Sequence, residues 1–464
     1  MWRAPPRRYF QSSAPCRRLT FAGLMRTEAI QTLRLAGPII VGELAQMGLH
    51  IIDTAMIGAL DYHQLAAAAL VINAMNIPFV LGIGMTISVS QLVAMAHGRG
   101  DERAVAHYGF NGFVLCGLTA ALIAVLLLVG SPVLLHLGQD PDVAVAAVPF
   151  MRLMGFSILP MLLFMTLKQF ADGLEFTRTA MIFSVLALPV NAGLNWILIY
   201  GHWGAPRLGL NGAGWATLIT RSLMFLCLLV VILRNRNFRP YVALRDQWVL
   251  SAKTVRALLG IGVPSALQVG MEAGAFAVTG ILIGTLGAVA QAAHQIALSC
   301  AAFTFMVSMG LAQAGSIRVS NAFGRGNRRQ IALIGKGTLL IALGYGIACA
   351  LGFVAFRHRL PYFFNDNGQV AALAGLLLLF AAVFQVSDAT QAVGAGLLRG
   401  IKDVKVPTYL IFVAYWVIGI PVGCLLGFHY GMGAAGFWLG LILGLTFASL
   451  FLYGRFRRRS RHAS

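Results

Sequence analysis

Acidic side chains set inside long apolar stretches are the chemistry this sequence offers. In residues 37–58, GPIIVGELAQMGLHIIDTAMIG, the polar residues Glu43, Gln46, His50 and Asp53 interrupt a run of Ile, Leu, Ala and Met. A carboxylate at mid-bilayer costs roughly 2.5–3.5 kcal/mol on insertion scales, so chains seldom keep one without a use. At 100° per residue these four positions fall on one side of a helix. The expectation is a polar stripe facing a cavity, with lipid or packed neighbours on the other side.

Two further acids lie well inside apolar runs. Glu272 sits in VPSALQVGMEAGAFAVTG, where Gln268, Glu272 and Thr279 share a face. Asp388 sits in VFQVSDATQAVGAGLLRG, on an arc with Gln385 and Gln391. No lysine or arginine stands at an evident salt-bridge position in those runs. A buried carboxylate without a counter-charge takes up a proton or binds a cation. Asp53, Glu272 and Asp388 are therefore candidates for proton or cation exchange, the competing role being a neutral contact between helices. For Glu43, nearer one end of its run, the two roles stand level. Asn191 and Asn195, one turn apart in LALPVNAGLNW, offer amide oxygens that coordinate Na+ or accept from a protonated acid. His294 and Gln295 in QAAHQIALS, and Tyr415 in VAYWVIG, either line the cavity or pack. Lys168, at the end of another run, is expected to snorkel to the interface.

These residues need spans to carry them, and the composition supplies them. The 464 residues are 58% hydrophobic and 11% charged, with mean hydropathy +0.79. Apolar runs of about 20 residues recur, and the alternation of barrel strands is absent. The fold class is all-α polytopic membrane protein with twelve transmembrane helices, near 35–58, 68–97, 108–137, 143–168, 178–201, 210–233, 258–286, 291–322, 332–356, 370–398, 405–428 and 432–454. The net charge of +20 sits between the runs, as cytoplasmic loop charge does, and so excludes nucleic acid as a partner. With the first residue inside, inner loops collect Arg99, Arg103, Arg178, Arg234, Arg236, Arg239, Arg325, Arg328 and Arg329, while outer loops hold only Arg207, Arg357 and Arg359. Both termini are expected to be cytoplasmic. Six cysteines without CxxC or Cys/His clusters indicate no zinc or redox site. GxxxxGK[ST], GxSxG and HExxH are absent, so neither ATP hydrolysis in cis nor an enzyme is supported, and no cofactor is expected.

The longest inner loop divides the spans six and six. Residues 1–34 read as a basic, acid-poor tail, with Met25 as an alternative start. Residues 35–234 form an N-lobe, 235–257 a cytoplasmic inter-lobe loop, 258–454 a C-lobe and 455–464 a basic C-terminal tail. A shift of 226 residues puts Pro38 on Pro264, Gly58 on Gly284, Gly84 on Gly310, Ser90 on Ser316 and Gly98-Arg99-Gly100 on Gly324-Arg325-Gly326. Six spans per half make the repeats parallel, around a central cavity on an axis along the membrane normal. The acids do not follow the repeat: Gln46 falls on Glu272 and Asp53 on Thr279. Two distinct acidic pockets, one per lobe, are expected.

Several stretches together resemble the MATE (multidrug and toxic compound extrusion) family, in its NorM-type bacterial branch, over about residues 35–453. They are Ile52-Asp53-Thr54-Ala55-Met56, residues 191–196 with Tyr200-Gly201, Ala292-Ala293-His294-Gln295, Asp388 with Gly396-Leu397-Leu398-Arg399-Gly400, Lys402-Asp403, Tyr415-Trp416 and Gly436-Phe437-Trp438-Leu439-Gly440. The resemblance implies a monomeric, two-lobed transporter in the lipid bilayer of the bacterial inner membrane. It would export small organic cations in exchange for Na+ or H+. It further implies an ion or proton site at Asp53, Asn191 and Asn195, and a cation site at Glu272 and Asp388. One position departs. Relatives can carry a tyrosine one turn before the tenth-helix acid, and here Phe384 brings no oxygen, which leaves protonation of the acids more open. Glu43 has no role carried over. A lipid or lipid-linked oligosaccharide flippase of the same superfamily is the alternative. It would want basic cavity residues, and only Arg152 and Arg221 stand away from span ends. An intramembrane aspartyl protease would need YD and GxGD settings, which are missing, and a passive channel would ignore ion gradients.

Overall fold

The computed structural model describes residues 21–136 and 140–462; Cys16 and the first twenty residues of the expected tail lie outside them. Twelve helices are long and apolar enough to cross a membrane. They are α1 (Phe21–Gly58), α2 (Tyr62–Arg99), α3 (Glu102–Gly130), α4 (Pro141–Gly173), α5 (Thr177–Tyr200), α6 (Leu210–Arg234), α7 (Ala252–Gly284), α8 (Ala288–Gly324), α9 (Arg328–Phe356), α10 (Gly368–Gly400), α11 (Lys405–His429) and α12 (Ala434–His462). Each expected span coincides with one of them.

The helices outrun the apolar runs wherever polar residues find partners. α1 begins at Phe21, so residues 21–34, expected as tail, are its first turns. No proline stands between Phe21 and Pro38, and this part of the helix is buried at Thr32, Leu35 and Ala36. α4 continues through Lys168, Gln169 and Asp172, all buried. α12 carries the basic tail on as helix, and its Arg455 and Arg459 hold Asp403 at 2.7 and 3.3 Å. The inter-lobe segment is tacked to the N-lobe. Phe238 packs on Phe170 and Phe176, with ring centroids 6.3 and 5.1 Å apart, and Asn111 Nδ2 donates to the Val249 carbonyl at 3.0 Å.

The lobes meet at the end that carries the termini. Residues 84–96 of α2 and 314–322 of α8 are buried without a break, whereas Asn73 and Asn76 on the opposite half of α2 are exposed. Glycines let the seam close. A Cβ at Gly98 would stand 2.1 Å from the Asn321 oxygen, and one at Gly324 2.1 Å from the Met95 oxygen. A Cβ at Gly84 would stand 2.2 Å from Ala266 Cα, and one at Gly310 2.5 Å from Ile40 Cγ1. Under the 226-residue shift each contact becomes the other of its pair. Gly98 maps to Gly324 and Met95 to Asn321; Gly84 maps to Gly310 and Ile40 to Ala266. The repeat is thus visible as a two-fold across the seam.

Adding a methyl group at either member of such a pair should overpack the seam at a cost of about 1–3 kcal/mol. Gly98→Ala and Gly324→Ala should lower the melting temperature of the detergent-solubilised protein by similar amounts. Gly352→Ala, where a Cβ meets nothing within 4 Å, should not. A large drop at one seam glycine and none at its image would speak against the two-fold.

Candidate functional site

In the N-lobe, α1, α5 and α6 converge on Asp53. Asn195 Nδ2 donates to Asp53 Oδ1 at 2.7 Å and to Asn191 Oδ1 at 3.2 Å. The hydroxyl of Thr217 donates to Asp53 Oδ2 at 3.3 Å. The four-residue spacing of the asparagines on α5 aligns the two amides. Asn195 Oδ1 is buried with no partner. Turning that amide over would present an acceptor to a protonated Asp53, while leaving it in place offers the amide and carboxylate oxygens to a bound cation. The guanidinium of Arg221 is within electrostatic range of Asp53. It is spoken for, however, by Ser157 Oγ at 2.8 Å and by the Phe79 ring, 6.0 Å away.

The stripe on α1 does not line an open cavity as expected. Gln46 Nε2 bonds Ser184 Oγ at 3.4 Å, and Glu43 Oε1 lies 2.5 Å from Lys168 Nζ. Lys168 is 3% exposed and does not snorkel; it is the counter-ion of Glu43. The stripe turns into the lobe against α4 and α5, and of its four members only His50 is exposed. Asp172, one turn past Lys168, is fully buried and interacts electrostatically with both Lys168 and Glu43. Neither of its oxygens has a hydrogen-bond partner among the described residues.

In the C-lobe, Glu272 and Asp388 come within electrostatic range of each other. The Tyr415 hydroxyl donates to Glu272 Oε1 at 3.2 Å, and Trp416 Nε1 donates to the Met271 carbonyl at 3.2 Å. Both aromatic residues belong to a π-helical turn of α11, Val413–Gly419; such turns recur at functional sites. Phe384, Phe276, Tyr415, Trp438 and His294 form a chain of edge-to-face contacts at 5.6–5.9 Å. Neither ring nitrogen of buried His294 has a hydrogen-bond partner among the described residues. Among the described residues no lysine, arginine or histidine nitrogen lies within ion-pair distance, 4.0 Å, of Asp53, Glu272 or Asp388.

The remaining expected cavity residues divide. Gln268 ties α7 to α11, donating to the Val404 carbonyl at 3.2 Å and to Thr408 Oγ1 at 2.9 Å. Its amide nitrogen is thus spent on this helix contact, while its oxygen has no partner among the described residues. Gln385 is buried and donates to the Ala301 carbonyl at 3.3 Å; Gln391 is buried too, and Gln295 is exposed. Thr217 and Asp172 were missed by sequence reasoning. Nothing within α6 announces that Thr217 meets α1, and Asp172 lies past the apolar run of its helix. The one available signal was Arg221, an isolated basic residue one turn from Thr217.

The sequence profile of the MatE family matches residues 38–197 and 264–425, one copy per lobe, beginning at the symmetry-matched Pro38 and Pro264. The chain is 34% identical to the probable multidrug resistance protein NorM of Mesorhizobium japonicum over 447 residues, covering 95% of this chain and 96% of that one. It is 35% identical to the multidrug resistance protein MdtK of Cronobacter sakazakii, covering 94% and 97%. The fold is shared with the eukaryotic MATE transporter AtDTX14, at TM-score 0.85, 21% identity and coverage of 95% and 99%. It is also shared with a multidrug resistance MATE transporter of the MOP superfamily solved in its outward-facing conformation, at TM-score 0.87, 19% identity and coverage of 95% and 98%.

Removing one partner of a buried ion pair costs about 3–5 kcal/mol, because it strands the other charge. Lys168→Met should therefore lower the melting temperature sharply. Glu43→Gln added to Lys168→Met should recover part of the loss. Equal melting of the single and double variants would show that the pair does not hold α1 to α4.

Proposed function

This chain belongs to the MATE family, in its NorM-type branch, and we propose that it is a secondary active antiporter exporting organic cations in exchange for Na+ or H+. The observation that carries the reading is the set of three carboxylates, Asp53, Glu272 and Asp388, sunk in membrane helices with no lysine or arginine nitrogen within 4.0 Å among the described residues. The names of its NorM and MdtK relatives support the same direction.

The proposed cycle alternates access to the two lobes' acids. With the termini end shut, Na+ or H+ from the far side neutralises an acid and releases the organic cation. The lobes rock, the termini end opens and the ion leaves. The bared carboxylate then attracts the next cation. In the N-lobe, Asp53 would take the ion with Asn191, Asn195 and Thr217 as oxygen donors or hydrogen-bond partners. In the C-lobe, Glu272 and Asp388 would share one positive charge. Lys and Arg asymmetry supports a cytoplasmic position for both termini of a bacterial inner-membrane protein, and both lobes of the proposed machine lie in one chain.

Reconstitution into liposomes with separate Na+ and proton gradients tests this. One gradient should drive ethidium efflux at least tenfold above a gradient-free control. Asp53→Asn, Glu272→Gln and Asp388→Asn should each remove most of that stimulation while the proteins still elute as folded species. Gradient-independent flux, or full activity in all three variants, would overturn the proposal.

A further inference from the structure

The first turns of α1 are held by the opposite lobe. Arg318 of α8, 8% exposed, donates from Nη1 to the Glu28 carbonyl at 2.6 Å and to Thr32 Oγ1 at 2.7 Å. Its Nη2 donates to Gln31 Oε1 at 2.6 Å and pairs with the Glu28 carboxylate. Gln330 of α9 reaches the other Glu28 oxygen at 3.3 Å. A rigid five-donor fork suits three acceptor residues spread over one helical turn, which a lysine would not match. Apolar packing agrees: Leu35, Ala36 and Ile39 are part of the C-lobe core, and Gly337 of α9 lies against Ala29. From Gly42 onward the partners of α1 are N-lobe residues, namely Lys168, Ser184 and Asn195. Pro38, which has no amide hydrogen, lies one turn before the change of partners.

We propose that Arg318 is a positioning residue for alternation. By clasping Glu28, Gln31 and Thr32 it keeps the lobes together at the termini end, and the clasp parts when that end opens. This rests on the two-lobed alternation proposed above. The clasp acts selectively because Arg318 and Thr32 are buried, and Glu28 is 15% exposed, only while the seam is shut. Once opened, the guanidinium and carboxylate meet water, where such a pair is worth little. That difference between states is what biases an equilibrium. It opposes a repulsion at the same end. Arg99 of the N-lobe approaches Lys402 of the C-lobe, and partial burial together with Arg99 lowers the Lys402 pKa.

The test is a single reporter cysteine, Ala94→Cys, in a background without the native cysteines. Ala94 is fully buried on α2 against the C-lobe core. Labelling with a membrane-impermeant maleimide from the termini side reads how often the seam opens. Arg318→Met should raise the labelling rate about tenfold or more, and Glu28→Gln should raise it less. The two together should do no more than Arg318→Met alone, since they remove one interaction. A cysteine at Ala374, fully buried inside the C-lobe, should stay unlabelled in every variant. An unchanged rate at position 94, strictly additive effects, or equal labelling at position 374 would overturn the proposal. If Arg318→Met does not fold, Gln31→Ala, which removes one acceptor and leaves the Arg318–Glu28 pair intact, carries the same comparison without stranding a buried cation. No ion gradient or passenger enters the assay. A negative result therefore leaves the carboxylate coupling standing, and failed gradient-driven efflux leaves the clasp standing.

Discussion

A carboxylate in hydrocarbon must be given something positive, and the way each acid meets that demand organises this molecule. α1 alone shows three answers. Glu28 is met by Arg318 of the other lobe, Glu43 by Lys168 of its own lobe, and Asp53 by two neutral groups, Asn195 and Thr217. The first two are fixed bonds, costing about 3–5 kcal/mol to strand. Hydrogen bonds from neutral donors to a carboxylate contribute about 1.5–3 kcal/mol each, and they bring no counter-charge. An acid of the first kind holds architecture in place. An acid of the second kind can exchange a partner within a transport cycle, and on the proposed reading it does.

The scaffold that carries these acids is symmetric and the chemistry is not. Seam contacts at Gly98 and Gly324, and at Gly84 and Gly310, are images of each other, so the lobes close on one another as equals. Yet the residue equivalent to Asp53 is Thr279, and the one equivalent to Glu272 is Gln46. A duplicated fold needs its symmetry only where the halves touch. Close backbone approach tolerates no side chain, so glycine is held in both copies there, while each interior can acquire its own polar groups.

The fold was legible because its signals are local. Apolar runs of bilayer length gave twelve spans, and the matched glycine triplets marked a seam that the two-fold contacts bear out. The ends of the helices were not legible. Lys168, Asp172 and residues 21–34 look like interface or tail when only hydropathy is weighed, and become helix because partners from other spans satisfy them. The site divided on the same line. Asp53, Asn191 and Asn195 were expected together and do meet, as do Glu272 and Asp388. The stripe from Glu43 to His50 was misjudged, since helical periodicity says that residues share a face and nothing about what faces them. Gln268 failed in the same way, its partners Val404 and Thr408 lying on a helix more than a hundred residues along the chain.

Phe384 shows how such a reading should be completed. Judged on α10 alone, the missing hydroxyl leaves Asp388 with an apolar neighbour and one oxygen fewer for a metal ion. In the folded lobe the Phe384 ring packs edge-on against Phe276 and Trp438, and a hydroxyl enters from α11, where Tyr415 gives its hydrogen to Glu272. Asp388 receives no hydrogen bond among the described residues. The two C-lobe acids are therefore unequal: one is steadied by a phenol, and the other has only the first acid's charge for company. Arg399 of the same helix as Asp388 is within electrostatic range of Glu272, while the charge interaction of Asp388 is with Glu272 alone. On the proposed reading, Asp388 is where the mobile positive charge arrives and Tyr415 holds Glu272 in place to share it.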